Sequence, residues 1–201
     1  MIDQAHLSTL HRRVLALTVI QGLRGLVYPV VFAIAIVAPD FVPEGEAWMN
    51  GLEFGLAFFG FVALLFVLRT ASIVAEPWRD ETRNVTPVEV TISFFIPIVN
   101  FYRPYLMVKA IDASLATGAG EKRSRFILVW WLLWIAHGIL LRLVGSSDSA
   151  SDLWAVGAAF ATIPLVLSNI AIGWILLGRA RRIEAAAVRP LDGEAVADVF
   201  R

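Results

Sequence analysis

The stretch FGLAFFGFVALLFVL, Phe54 to Leu68, decides how this chain folds. It contains no polar or charged side chain. With its flanks it belongs to a run from Leu52 to about Ile73, close to the roughly 20 residues a helix needs to cross about 30 Å of hydrocarbon. The polar–apolar alternation of a membrane β-barrel is absent. In lipid the backbone polar groups must be satisfied within the segment, which leaves a helix. Three further runs follow the same logic: Val14 to Ala38, with Gln21 and Arg24 inside it, Phe126 to Val144, and Leu153 to Gly178.

Composition agrees with this reading. Of 201 residues, 58% are apolar and 17% charged, with a mean hydropathy of +0.72. A soluble domain carries about 25% charged residues, and a small globule could not bury this much apolar surface. Lysine plus arginine and aspartate plus glutamate each total 17, so no polyanion-binding surface is expected and nucleic acid is not a partner. Without cysteine there is no disulfide, thiolate nucleophile or cysteine-based metal centre. The histidines, His6, His11 and His137, lack metal-ligand spacing.

Orientation follows from the basic residues in the flanks. All 17 except Arg24 and Arg142 fall on one side: before the first run, at the end of the second (Arg69) and in the segment after it, or after the fourth. The segments 38–51 and 145–152 contain none. Both termini and the central segment are therefore expected in the cytoplasm of a bacterium, with the chain multi-pass in the inner membrane. The first run is expected to be an uncleaved anchor, because it is too long for a signal-peptide core and Pro39 follows its small residues.

The central segment is not uniform. Thr86-Pro87 followed by Glu89 is a helix start, with Thr as cap, Pro at the first helical position and Glu at the third. The apolar run Val88 to Val99 is too short to span, and Pro97 should break it, with Asn100 available to freed backbone groups. A second helix is expected from about Pro104, with Lys109 and Asp112 on its polar side, ending at Gly118 and Gly120. The expected fold is therefore an all-α integral membrane protein. It has four transmembrane helices (14–38, 52–73, 126–144, 153–178) and a short broken re-entrant or interfacial helix pair on the cytoplasmic side (86–118). A short tail (186–201) completes a single membrane domain, 1–201.

This central segment, TPVEVTISFFIPIVNFYRPYLMVKAID, resembles the signature of bacterial membrane proteins filed as domain of unknown function 4328. Thr86, Pro87, Phe94, Phe95, Pro97, Asn100 and Pro104 match that signature in order, and the Trp130-Trp131 pair is similar to the family's third span. The resemblance covers roughly residues 50 to 185. Two positions depart from it: Ile73 stands where the family often has Asn four residues after an Arg, here Arg69, and Phe94 replaces Trp. The resemblance implies a multi-span architecture and brings no activity.

Ionisable residues inside a span are functional candidates. At about 1.5 Å rise per residue, Arg24 lies about 15 Å into its helix, His137 about 16 Å and Asn169 about 14 Å. Gln21 sits one turn from Arg24, and Ser168 adjoins Asn169. Gln21, Arg24, His137 and Asn169 form the candidate ligand-binding cluster. It either binds a ligand or ties the bundle together by hydrogen bonds. No carboxylate is expected at that depth; Glu53 is expected nearer the outer face, level with Arg142. Trp130, Trp131 and Trp134 cluster in the third span as a stacking platform or a packing anchor. Lys122–Arg125 and Arg179–Arg182 are placed to meet anionic lipid.

No hydrolase, nucleotide-binding, zinc-protease or redox motif is present, so no catalytic residue, metal or cofactor is expected. The leading expectation is a non-catalytic membrane scaffold or accessory subunit. It would act through lipid contacts and through a protein partner or a second copy of itself. The alternative is binding or transport of a small solute, lipid or ion through the midplane cluster.

Overall fold

The computed structural model describes residues 3–37, 47–79, 86–94, 102–145 and 152–188. These segments form α1 (Gln4–Val37), α2 (Ala47–Val74), one turn of 3-10 helix (Glu76–Trp78), α3 (Pro87–Ile92), α4 (Arg103–Gly118), α5 (Phe126–Gly145) and α6 (Asp152–Val188). The all-α expectation holds among the described residues. Gly51–Val74 and Thr162–Ala187 are long and apolar enough to cross a membrane. Among the described residues, two of the four expected spans thus meet the length and composition of a membrane-crossing helix, and Phe126–Leu140 is a shorter apolar helix.

Two helices outrun the apolar stretches that predict them. α1 begins at Gln4 rather than Val14, and α6 continues to Val188, past Gly178 and into the expected tail. The added turns stay helical because one face is buried: Leu7 and Leu10 on α1, Ala180 and Ile183 on α6. α1 packs against α2 and α6, while α5 packs against α6. The main apolar core lies toward the end where α1 begins and α2 finishes, the basic end of the bundle. There Leu10, Val14 and Leu17 meet Leu68, Leu115, Ile172 and Leu176, all under 2% exposed.

α3 and α4 cover this end. Thr86 caps α3 as its sequence predicts. Its hydroxyl accepts from the Glu89 amide (3.2 Å), and the Glu89 carboxylate accepts from the Thr86 amide (2.9 Å), a reciprocal box that satisfies two orphan donors. The helix ends at Ile92, before Pro97 is reached. Phe95, Pro97 and Asn100 lie outside the described residues. α4 packs against α2, α5 and α6. It ends in a Schellman turn: the amides of Gly120 and Glu121 donate to the carbonyls of Thr117 (3.2 Å) and Ala116 (2.8 Å). Gly120 has φ +65°, a value that glycine adopts without steric cost.

Asp112 does not sit on a polar face. It is fully buried and pairs with Arg179 of α6. Its second oxygen accepts from the Ser124 amide at 2.9 Å. Arg179 also donates to the carbonyls of Asp112 (2.9 Å) and Lys122 (2.8 Å). It is thereby withdrawn from the expected lipid-facing group, whereas Lys122, Arg123, Arg125, Arg181 and Arg182 remain exposed. The pair arises because α6 extends beyond Gly178 and α4 docks beside that extension.

Candidate functional site

The register between α1 and α2 builds the site. Arg13 donates to the carbonyl of Phe66 (3.2 Å) and to Thr70. Farther along, Gln21 lies over Gly60: a methyl group at residue 60 would meet Gln21 Nε2 at 2.7 Å. The bare backbone of Gly60 is what admits a glutamine between two helices. Arg24 and Ala57 come next in this register, and both line a cavity of about 260 Å³.

The four candidate residues converge on this one cavity. Gln21, Arg24, His137 and Asn169 all line it, with Ala57, Phe61, Leu64, Trp134, Gly138 and Leu165 completing the wall. Gln21, Arg24, His137 and Asn169 are each buried, at 1%, 6%, 7% and 3% exposure. Gly138 is exposed, and Ala57, Phe61 and Trp134 are half-buried, so the cavity opens between α2 and α5. Its residues nearest the basic end are tied together by Phe94, from the turn after α3. The Phe94 ring packs edge-on against Phe61 (5.7 Å between centroids) and Trp134 (6.4 Å). The expected aromatic signature residue therefore closes the space between α2 and α5. Thr86, Pro87 and Pro104 act elsewhere, at helix starts.

Arg24 is compensated by a residue the sequence placed differently. Nε and a terminal nitrogen of Arg24 both reach one oxygen of Glu53, at 2.8 and 2.7 Å. A carboxylate thus joins the cluster, correcting the expectation that none lies at that depth. Arg142, the partner expected for Glu53, is exposed. Counting rise along straight, level helices missed this pairing. In the observed register Arg24 stands opposite Ala57, and its long side chain bridges the one turn, about 5.4 Å, that separates Ala57 from Glu53.

The remaining polar contacts are partial. Arg24 also approaches His137 Nε2, at 3.4 Å. Asn169 Oδ1 accepts from the Trp130 indole at 2.8 Å, which gives Trp130 a hydrogen-bonded core position. Trp131 and Trp134 stack on each other (5.4 Å, 13°), so this aromatic group packs internally and only Trp134 reaches the cavity. Ser168 turns back onto its own helix, bonding the Leu165 carbonyl. Gln21 Oε1, Glu53 Oε2 and His137 Nδ1 are buried without a hydrogen-bond partner in the protein.

Among the described residues, fold and site define an all-helical bundle, two of whose helices are long and apolar enough to span a membrane, with a cavity lined by four polar side chains among α1, α2, α5 and α6. The chain belongs to the family described as Domain of unknown function (DUF4328), whose model matches residues 46–185. No curated protein matches the chain, and no solved structure does.

Proposed function

We propose that this protein is a non-enzymatic, four-span protein of the bacterial cytoplasmic membrane, with both termini inside, that binds a small polar solute in the α1–α2–α5–α6 cavity. One observation carries the solute reading. Gln21, Arg24, His137 and Asn169 meet around open space while buried polar atoms among them remain unpartnered. A purely structural knot would satisfy its own members, because an unmade buried hydrogen bond costs about 1–3 kcal/mol. The basic end is filled by apolar core and Phe94, which leaves the opening between α2 and α5 as the way in.

The membrane reading draws on surface character. Only 28% of the most apolar window in Gly51–Val74 is buried, whereas the core helix of a soluble protein would be mostly covered. Leu23, Leu26, Phe54, Phe58, Phe59, Leu132 and Ile139 all face outward, an apolar surface that water would penalise. Val88, Ile92 and Leu106 are also exposed, which suits α3 and the start of α4 to the inner interface. The same residues favour the accessory-subunit reading, with a partner covering them. Ile92→Lys discriminates: loss of a co-purifying protein with retained membrane insertion would favour the subunit.

The absence of cysteine makes accessibility the direct test. Ala57→Cys in right-side-out vesicles should react with a small methanethiosulfonate. Arg12→Cys should react with an impermeant reagent only after permeabilisation. An Ala57→Cys that stays unreactive until the protein is denatured would overturn the cavity reading, and Arg12→Cys labelled from outside would overturn the orientation.

A further inference from the structure

The chemistry of the cavity wall narrows what it can hold, given the solute-binding reading above. Arg24 is the one cation among the described lining residues, and Glu53 already neutralises it through two contacts on one oxygen. An arriving anion would compete with that carboxylate for the same guanidinium. An arriving cation would bring a second positive charge beside Arg24 with only the buried second oxygen of Glu53, a residue outside the described cavity lining, to answer it. The energy of a net charge in a poorly solvated site disfavours both.

Two unspent hydrogen-bonding atoms belong to lining residues. Gln21 Oε1 is an acceptor. His137 Nδ1 is a donor, by the following assignment. The Arg24 guanidinium can only donate, so the His137 Nε2 it approaches at 3.4 Å is the accepting nitrogen. The ring proton of the neutral imidazole then sits on Nδ1. Among the described lining residues these two atoms, one acceptor and one donor, have no partner in the protein and almost no accessible surface, so a solute meets them when the Gln21 and His137 side chains turn toward the cavity. A hydroxyl or a carboxamide answers both at once. A simple anion offers only acceptors, and an ammonium only donors. The volume, about 260 Å³, lies below the range of about 300–1,000 Å³ for drug-sized ligands.

We infer that the cavity takes a small uncharged solute bearing hydroxyl or amide groups, bound between Gln21 and His137 with the Arg24–Glu53 pair as a neutral wall.

Gly60 supplies a mild way to disturb the acceptor. In Gly60→Ala the new methyl group would press on Gln21 Nε2 (2.7 Å) and Cδ (3.1 Å). These atoms are the far end of a flexible side chain, so Gln21 moves and the helices need not. The experiment is saturation-transfer NMR on the full chain in nanodiscs, with empty nanodiscs as background. Glycerol, acetamide, formate and methylammonium serve as probes. Glycerol and acetamide should receive transfer above background and formate and methylammonium should not. Gly60→Ala should lose at least half of the signal while staying monodisperse with an unchanged helical spectrum. His137→Phe, which removes the donor by a different route, should lose it as well.

Preferential transfer to formate or methylammonium would overturn the assigned class and leave solute binding standing. No transfer above background to any probe would overturn the assignment too; labelling of Ala57→Cys then decides separately whether the cavity reading falls with it. Transfer to glycerol or acetamide that neither variant changes would place binding elsewhere and also overturn the inference.

Discussion

Replacing Glu53 by leucine strips the Arg24 guanidinium of its only carboxylate among the described residues. Arg24 is 6% exposed, and its Nε and terminal nitrogen contacts to Glu53 Oε1 measure 2.8 and 2.7 Å. Breaking a buried ion pair by removing one partner costs about 3–5 kcal/mol. Two features of the site place Glu53→Leu at the low end of that range. The Glu53 side chain retains 15% exposure, so the pair is not fully desolvated, and Arg24 keeps its approach to His137 Nε2. The expected loss is about 3 kcal/mol. Arg24→Leu should lose a similar amount by orphaning the carboxylate. The double variant Arg24→Leu/Glu53→Leu buries no charge and should return to within about 1 kcal/mol of the parent, because an apolar pair of similar volume is often as stable. Equilibrium unfolding in mixed micelles, followed by tryptophan fluorescence, measures all four proteins. The cycle should give a coupling of about 5 kcal/mol or more, above the roughly 0.5–3 kcal/mol found for most contacting residues, because each single variant leaves a buried charge without its partner. Single variants within about 0.5 kcal/mol of the parent, or losses that simply add in the double variant, would refute the pairing.

Three further outcomes follow from particular contacts. Asn169→Leu should leave the Trp130 indole N–H buried without its acceptor, costing about 1–3 kcal/mol and shifting the indole proton resonance; an unmoved resonance would deny the bond. Asp112→Ala should cost about 3 kcal/mol by leaving Arg179, between α4 and α6, with only the longer carboxylate contact, to Glu121 at 3.5 Å, and the same unfolding assay should show it exceeding Glu89→Ala, which removes half a capping box worth about 1 kcal/mol. Gly118→Ala should push a methyl group to 2.7 Å from the Trp78 ring, an overpacking cost of about 1–3 kcal/mol, with faster amide exchange in the Glu76–Trp78 turn as its local signature.

Local chemistry was legible in advance; distances between helices were not. The apolar runs located α1, α2, α5 and α6 because a continuous hydrophobic segment admits few alternatives. The Thr86–Glu89 cap and the glycine stop after α4 were readable because they act within a few residues of themselves. The convergence of Gln21, Arg24, His137 and Asn169 was anticipated from depth alone, since polar side chains at one level of a small bundle share the same limited interior. Helix ends were misjudged where amphipathic faces, Leu7 and Leu10 or Ala180 and Ile183, prolong a helix beyond its apolar run.

The sequence alone determined the helical class, the order of the elements and the shared level of Gln21, Arg24, His137 and Asn169, because these depend on spacing along one chain. Tertiary structure decided who partners whom. Glu53 reaches Arg24 rather than Arg142 because the α1–α2 register and the length of an arginine side chain set that distance. Asp112 is buried because α4 turns that face toward the prolonged α6. The cavity itself exists only because Phe94 and the helix packing leave a space that the polar side chains line without filling.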